Sequence, residues 1–155
     1  MKHWLSRKLL QPLLNLLRQG MSPSRLALCV ALGIVIGNIP ILGVSTLICT
    51  AIALAFRLNL AAIQIVQAAM APTQILLIIP FVRLGEWIVR APRQPMSVQE
   101  GLALMAQGVA QAIVTLWNCI VHAGLAWTLV APFAVFLFYK ILTPVFEHAA
   151  ARIKR

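Results

Sequence analysis

The chain has 155 residues, 61% of them hydrophobic and only 10% charged, with a formal net charge of +10 at pH 7. Soluble domains are about 45–50% apolar, so this composition, with a mean hydropathy of +0.92, excludes an ordinary water-soluble core and points to one compact membrane domain with little room for a catalytic domain outside it. The acidic residues are Glu86, Glu100 and Glu147, with no aspartate, which leaves no carboxylate pair for metal-assisted chemistry.

Residues 1–21 read as a basic amphipathic segment. Between Trp4 and Leu17 the polar residues Arg7, Lys8, Gln11 and Asn15 recur three or four apart, as do Leu9, Leu10, Leu13, Leu14 and Leu17. A helix with one basic and one apolar face lies in the membrane interface; packing on a partner subunit is the alternative for that apolar face. Pro12 offers a kink. The charges that interrupt the leucines exclude a secretory signal.

Residues 22–155 read as a single membrane domain. Ser22 suits an N-cap and Pro23 the first helical position, so a helix is predicted from Pro23 to about Asn38. Within it Gly33 and Gly37 have the spacing that lets another helix backbone approach closely. The apolar stretch Leu26–Phe56 is too long for one untilted span of about 20 residues, and each half is too short for a comfortable one. The segment Asn38-Ile39-Pro40-Ile41-Leu42-Gly43 predicts the break, with a second helix from Val44 to Phe56. Arg57-Leu58-Asn59 marks a return to an interface. A third segment is predicted from Leu60 to Ala71, a break at Pro72, and a fourth segment from Thr73 past Pro80 to Val89. Paired short apolar segments interrupted by Pro and Gly are the pattern of discontinuous helices. Re-entrant hairpins and kinked spanning helices both fit it.

A linker follows at 91–97. Ser97-Val98-Gln99-Glu100 has the capping-box spacing, and the helix it starts is predicted to run from Val98 to Val130, before Pro132. A last apolar segment, Phe133–Phe146, leads into a basic tail at 149–155. The fold class is therefore all-α membrane protein: an N-terminal interfacial amphipathic helix, two Pro-broken helical pairs, re-entrant or kinked, then further transmembrane helices. The basic residues flank apolar segments, which reflects the positive-inside bias and attraction to anionic headgroups rather than a nucleic-acid footprint. Both termini, Arg57 and the linker are expected on the cytoplasmic side.

The sequence offers no enzyme motif. His3, His122 and His148 are scattered, and no paired-histidine metal motif or nucleophile elbow occurs. No cofactor, metal or catalytic residue is expected. Cys29, Cys49 and Cys119 are odd in number and lack metal spacing, so they read as buried thiols. What remains is polar residues inside apolar helices. Arg83, Glu86 and Arg90 share one helix face: an ion pair at a membrane boundary, or a buried carboxylate for proton coupling or substrate. Gln107, Gln111, Thr115, Asn118 and His122 form a stripe that must face protein or water. It is either interhelical glue or a polar path. Gln64, Gln67 and Gln74 surround Pro72; Asn38, Ser45 and Thr46 surround Pro40, where the next helix would aim its N–H groups into the bilayer as an anion site. The candidate lipid-binding set is Asn38, Pro40, Gly43, Ser45, Asn59, Arg83, Glu86, Gln111, Asn118 and His122.

Ser22-Pro23, then Ala31-Leu32-Gly33, Gly37, Ile39-Pro40, Gly43 and Arg57-Leu58-Asn59, resembles the bacterial domain of unknown function 2062 family. The likeness spans roughly Ser22 to Pro92, with a weaker match in the last helices. The chain departs at Met70-Ala71-Pro72, where the family usually has Asn before Pro. The resemblance implies a small bacterial inner-membrane protein, and a link to glycosyltransferase-type domains, to which members are sometimes fused. The expected function is binding or translocation of an anionic lipid or lipid-linked molecule in envelope biogenesis. The alternative is a non-catalytic scaffold that holds a partner. Expected partners are anionic membrane lipids and a glycosyltransferase-type protein or a second copy of the chain, with no nucleic acid.

Overall fold

A computed structural model describes residues 11–41, 43–92, 99, 103, 106, 108, 110 and 117–153. Among them the chain is all-helical, with six helices and no strand: α1 (Gln11–Arg18), α2 (Pro23–Gly37), α3 (Val44–Ala55), α4 (Leu60–Ala69), α5 (Ala71–Val89) and α6 (Trp117–Ile153). Ser97 and Glu100 of the expected capping box, and residues 1–10 of the amphipathic segment with Arg7 and Lys8, lie outside the described residues.

Local chemistry sets the first three joints. Ser22 is extended and its Oγ accepts from the Arg25 N–H at 3.4 Å, with Pro23 as first helical residue. Gly43 has φ +87°, the left-handed conformation that suits glycine, and starts α3. Asn59 Oδ1 accepts from the Ala62 N–H at 2.9 Å and caps α4. At the end of α3 the chain turns through Arg57 in the left-handed region, φ 51°, and the Leu58 N–H returns to the Ala53 carbonyl at 2.8 Å. The end of α5 repeats this closure: Arg90 has φ 55° and the Ala91 N–H meets the Glu86 carbonyl at 2.9 Å. Both are Schellman-type ends with arginine where glycine is usual.

Helices α2 and α3 fold back on each other as a hairpin, and α4 returns alongside. Gln67 Nε2 donates to Ser45 Oγ at 3.0 Å, while Gln64 Nε2 donates to Thr50 Oγ1 at 3.0 Å and to the Thr46 carbonyl at 3.2 Å, so α3 and α4 are antiparallel. Helices α2 and α4 are parallel and in intimate contact. A Cβ on Gly33 would sit 2.8 Å from Val66 Cβ, and one on Gly37 2.9 Å from Met70 Cβ. The paired glycines thus serve a helix contact within the chain. The first core cluster gathers Leu26, Cys29, Cys49, Ala53, Ile63 and Val66, and the buried Leu13, Leu17 and Phe146 extend it to α1 and α6.

The second half departs from the expected pattern. The interruption falls at Met70, between α4 and α5, not at Pro72, which is the second residue of α5. A proline there removes no intrahelical hydrogen bond. One residue leaves no room for a fold-back loop, and α4 and α5 make scarcely any contact with each other. The first Pro-broken pair is a hairpin; the second is a bent continuation. Gln74, at the start of α5, donates through Nε2 to the Ile39 carbonyl at 2.7 Å, which fixes the bend beside the tip of the α2–α3 hairpin.

The expected helix end before Pro132 is also corrected. α6 runs through Pro132 and Pro144 without a break; prolines are tolerated inside membrane-spanning helices more readily than the sequence expectation allowed. α6 is antiparallel to α2: Trp127 Nε1 donates to the Val35 carbonyl near the hairpin tip, and Phe146 joins the cluster around Leu26. Ala149 and Ile153 pack on the same cluster as Leu13 and Leu17, so the end of α6 lies beside α1. The first turns of α6 continue past the hairpin tip and pack on the second half of α5, with Val82, Cys119 and Ala123 buried between them. Arg90, at the end of α5, is therefore at the opposite end of the bundle from Ser22, Asn59 and Arg152. Ala91 and Pro92, the first residues of the expected 91–97 linker, follow Arg90 at that end; the rest of the linker lies outside the described residues.

Two helices, α5 with 19 residues and α6 with 37, are long and apolar enough to cross a membrane. Their most apolar windows are only 22% and 11% buried within the chain, unlike the core helices of a soluble protein. Leu125, Leu129, Phe133, Phe136 and Leu137 make an exposed apolar stripe down α6, the kind of surface that marks a membrane or partner contact.

Candidate functional site

The residues singled out in the sequence fall into three places. Asn38, Pro40, Gly43 and Ser45 meet at the hairpin tip. Asn59 lies at the opposite end of α4. Arg83, Glu86, Asn118 and His122 belong to the α5–α6 crossing. Gln111, with Gln107 and Thr115 of the same stripe, lies outside the described residues.

At the tip, most polar groups have structural partners. Ser45 is buried and accepts from Gln67. Gly43 supplies the turn, and Pro40 is buried in the loop. Asn38 is 8% exposed; its Nδ2 donates to the Ile34 carbonyl at 2.7 Å, but its Oδ1 is buried with no partner among the described residues. Asn59 is an N-cap, a role that needs no ligand.

At the crossing, Arg83 Nη1 meets Glu86 Oε2 at 2.9 Å. Glu86 is 2% exposed and Arg83 37%, so the carboxylate is held inside and the guanidinium reaches outward. Arg90 is exposed at the helix end. Gly85, next to Glu86, packs directly on the backbone of His122, and no side chain fits between them. His122 Nδ1 is buried with no partner among the described residues. Asn118, one turn earlier, is exposed on the isolated chain. Among the described residues no three His, Cys, Asp or Glu side chains come together as metal ligands would.

A third feature was not singled out in the sequence. Between the α1–α2 joint and the α3–α4 turn lies an open cleft of about 630 Å³. Its polar lining is Gln19, Ser22, Arg25, Arg57 and Asn59, and its apolar lining Leu16, Met21, Cys29 and Leu58. Both α2 and α4 begin at this cleft, because they are parallel. In the sequence Arg25 and Arg57 look like two separate flanking charges. The local signal for them was a cation three residues after an N-cap and another between a helix end and the next cap.

No curated protein and no solved structure matches the chain. The family model described as an uncharacterized protein conserved in bacteria (DUF2062) matches residues 6–154. The match covers the Ser22–Pro92 stretch that carries the resemblance and continues through the whole of α6. The chain belongs to the bacterial DUF2062 family.

Proposed function

We propose that this is a multi-pass inner-membrane protein that binds or translocates an anionic lipid or lipid-linked molecule in envelope biogenesis. The observation that carries the reading is the α2–α3 hairpin. Its helices have 15 and 12 residues, about 22 and 18 Å at 1.5 Å per residue, against a hydrocarbon core of about 30 Å. An apolar hairpin that short re-enters rather than spans, and it carries its polar tip, with the Asn38 oxygen that has no partner among the described residues, to mid-membrane depth. Irregular backbone at that depth is tolerated where it lines a cavity or is buried in protein, and it is where ligand sites of membrane proteins are built.

The charge distribution supports the orientation. Arg18, Arg25, Arg57 and Arg152 gather at one end of the bundle, while the opposite end has the Arg83–Glu86 pair and Arg90. By the positive-inside rule the first end, with both ends of the chain, is cytoplasmic. The reading assigns no chemical step to any residue. A glycosyltransferase-type partner follows from the family resemblance alone.

A scaffold without a ligand is the competing reading, and the exposed stripe on α6 favours it as far as a partner helix could cover that stripe. Gly33 and Gly37 mediate a helix contact, as that reading holds, but the contact is with α4 of the same chain. Native mass spectrometry of the detergent-extracted protein separates the two. Anionic lipid retained in preference to zwitterionic lipid is expected; a lipid-free protein that retains a protein partner or a second copy contradicts the lipid reading.

A further inference from the structure

We infer that the cleft between Arg25 and Arg57 is a binding site for the phosphate of an anionic lipid headgroup, at the cytoplasmic end of the bundle. The inference rests on the lipid reading above and adds the site to it.

The two arginines come from distant parts of the sequence and reach one cleft only because α3 returns the chain and sets α4 parallel to α2. The cleft volume of about 630 Å³ is in the range of small-molecule sites. Its lining combines Gln19, Ser22, Arg25, Arg57 and Asn59 with Leu16, Met21 and Leu58. A charged headgroup joined to a hydrocarbon chain needs both kinds of wall. Among the described residues neither arginine has an acidic partner. Phosphate is the chemistry that two guanidinium groups at one site recognise, through short charge-assisted hydrogen bonds. The amino ends of α2 and α4 add favourable dipoles at the same place.

Neither arginine is where stability would put it. Arg25 is the third residue of α2, in the first turn, where a cation opposes the helix dipole. Arg57 occupies a left-handed position, φ 51°, where glycine is the favoured residue. Its charge at the end of α3 is favourable to that helix dipole, but its backbone conformation is not. Arg90 ends α5 in the same left-handed conformation away from the cleft, so it is the meeting of Arg57 with the unfavourably placed Arg25 at one cavity that a shared ligand accounts for.

The same facts yield a clean test. Arg57→Gly keeps the turn in a better residue, and Arg25→Gln removes a repulsion from the first turn of α2. The double variant is therefore expected to melt at the parent's temperature or above. The full chain in detergent is titrated with phosphatidylglycerol and, separately, with zwitterionic phosphatidylethanolamine, read by native mass spectrometry. Phosphatidylglycerol should bind the double variant about tenfold more weakly than the parent, the loss expected when charge-assisted contacts to one phosphate are removed. Phosphatidylethanolamine, whose ammonium offsets its phosphate, should bind the parent more weakly and lose less in the double variant, and Arg57→Lys should retain most of the parent's affinity. Equal phosphatidylglycerol affinity in parent and double variant would overturn the cleft as the site while leaving the lipid reading intact. A parent with no preference for phosphatidylglycerol would overturn both. Displacement of the lipid by glycerol 3-phosphate at comparable concentration would overturn the lipid as source and assign the cleft to a soluble phosphate compound. Should the double variant melt below the parent, the stability argument for Arg25 and Arg57 fails; each single variant then reports the affinity change on its own.

Discussion

The indole N–H of Trp127 donates to the main-chain carbonyl of Val35 at 3.0 Å, joining α6 to the last turn of α2. The same oxygen accepts the Asn38 N–H at 3.2 Å, so one carbonyl closes the helix and docks its neighbour. Trp127→Phe keeps most of the ring and removes the donor. A loss of about 0.5–1.5 kcal/mol is expected, the net worth of one hydrogen bond, seen as a lower thermal midpoint in detergent. An unchanged midpoint would show that the bond does not hold α6 to the hairpin.

The glycines divide into those that must stay and one that is free. Gly33→Ala would bring a Cβ to 2.9 Å from the Ile63 carbonyl as well as against Val66, and Gly85→Ala would meet the His122 backbone. Neither backbone can move aside as a flexible side chain can. Each substitution is expected to cost about 1–3 kcal/mol, as overpacked sites do, with Gly85→Ala at the upper end. Gly124→Ala meets nothing within 4 Å and is expected to melt like the parent. Equal midpoints for all three would contradict the α2–α4 and α5–α6 contacts.

The Ser45–Gln67 hydrogen bond ties α3 to α4 where both are apolar. A double-mutant cycle with Ser45→Ala and Gln67→Ala should give a coupling of about 0.6 kcal/mol, the average for side-chain pairs inside membranes, and no more than about 1.7. Zero coupling would mean that the two side chains do not meet.

Arg83 and Glu86 make a pair in which one partner is buried. Removing the arginine leaves the carboxylate in a poor environment, whereas removing both charges does not. Arg83→Leu should therefore lower the yield of extractable, monodisperse protein more than Arg83→Leu with Glu86→Leu. The reverse order, read by size-exclusion chromatography, would argue that Glu86 is held by its other surroundings alone.

Where a joint depends on neighbouring residues, it was legible in the sequence. Ser22–Pro23, Gly43 and Asn59 act within one turn of themselves, and the structure puts α2, α3 and α4 at the positions their caps require. The bend at Met70 was not legible. Pro72 is the visible mark there, yet a proline in a first turn is harmless, and what fixes the bend is Gln74 reaching the Ile39 carbonyl of another element. Pro132 gave a false end to α6 for a different reason: it lies mid-helix, where a local pattern predicts a break, and the helix continues through it. Of the candidate site residues, Ser45 and Asn59 owe their polarity to structural bonds, whereas the Asn38 and His122 atoms without partners could be found only once burial was known. The arginine cleft needed the parallel pairing of α2 with α4, a relation between distant segments that no local pattern carries.

Labelling of single cysteines, in a background where Cys29, Cys49 and Cys119 are replaced, tests most directly the claim that the α2–α3 hairpin re-enters and leaves the arginine cleft at the cytoplasmic face. Cysteines at Ser22 and Asn59 should react with a membrane-impermeant thiol reagent only from the cytoplasmic side, and one at Ile41, in the hairpin tip, should not react from the periplasmic side. Ready labelling of the Ile41 position from the periplasm would mean that α2 and α3 each span the membrane, and would contradict the account.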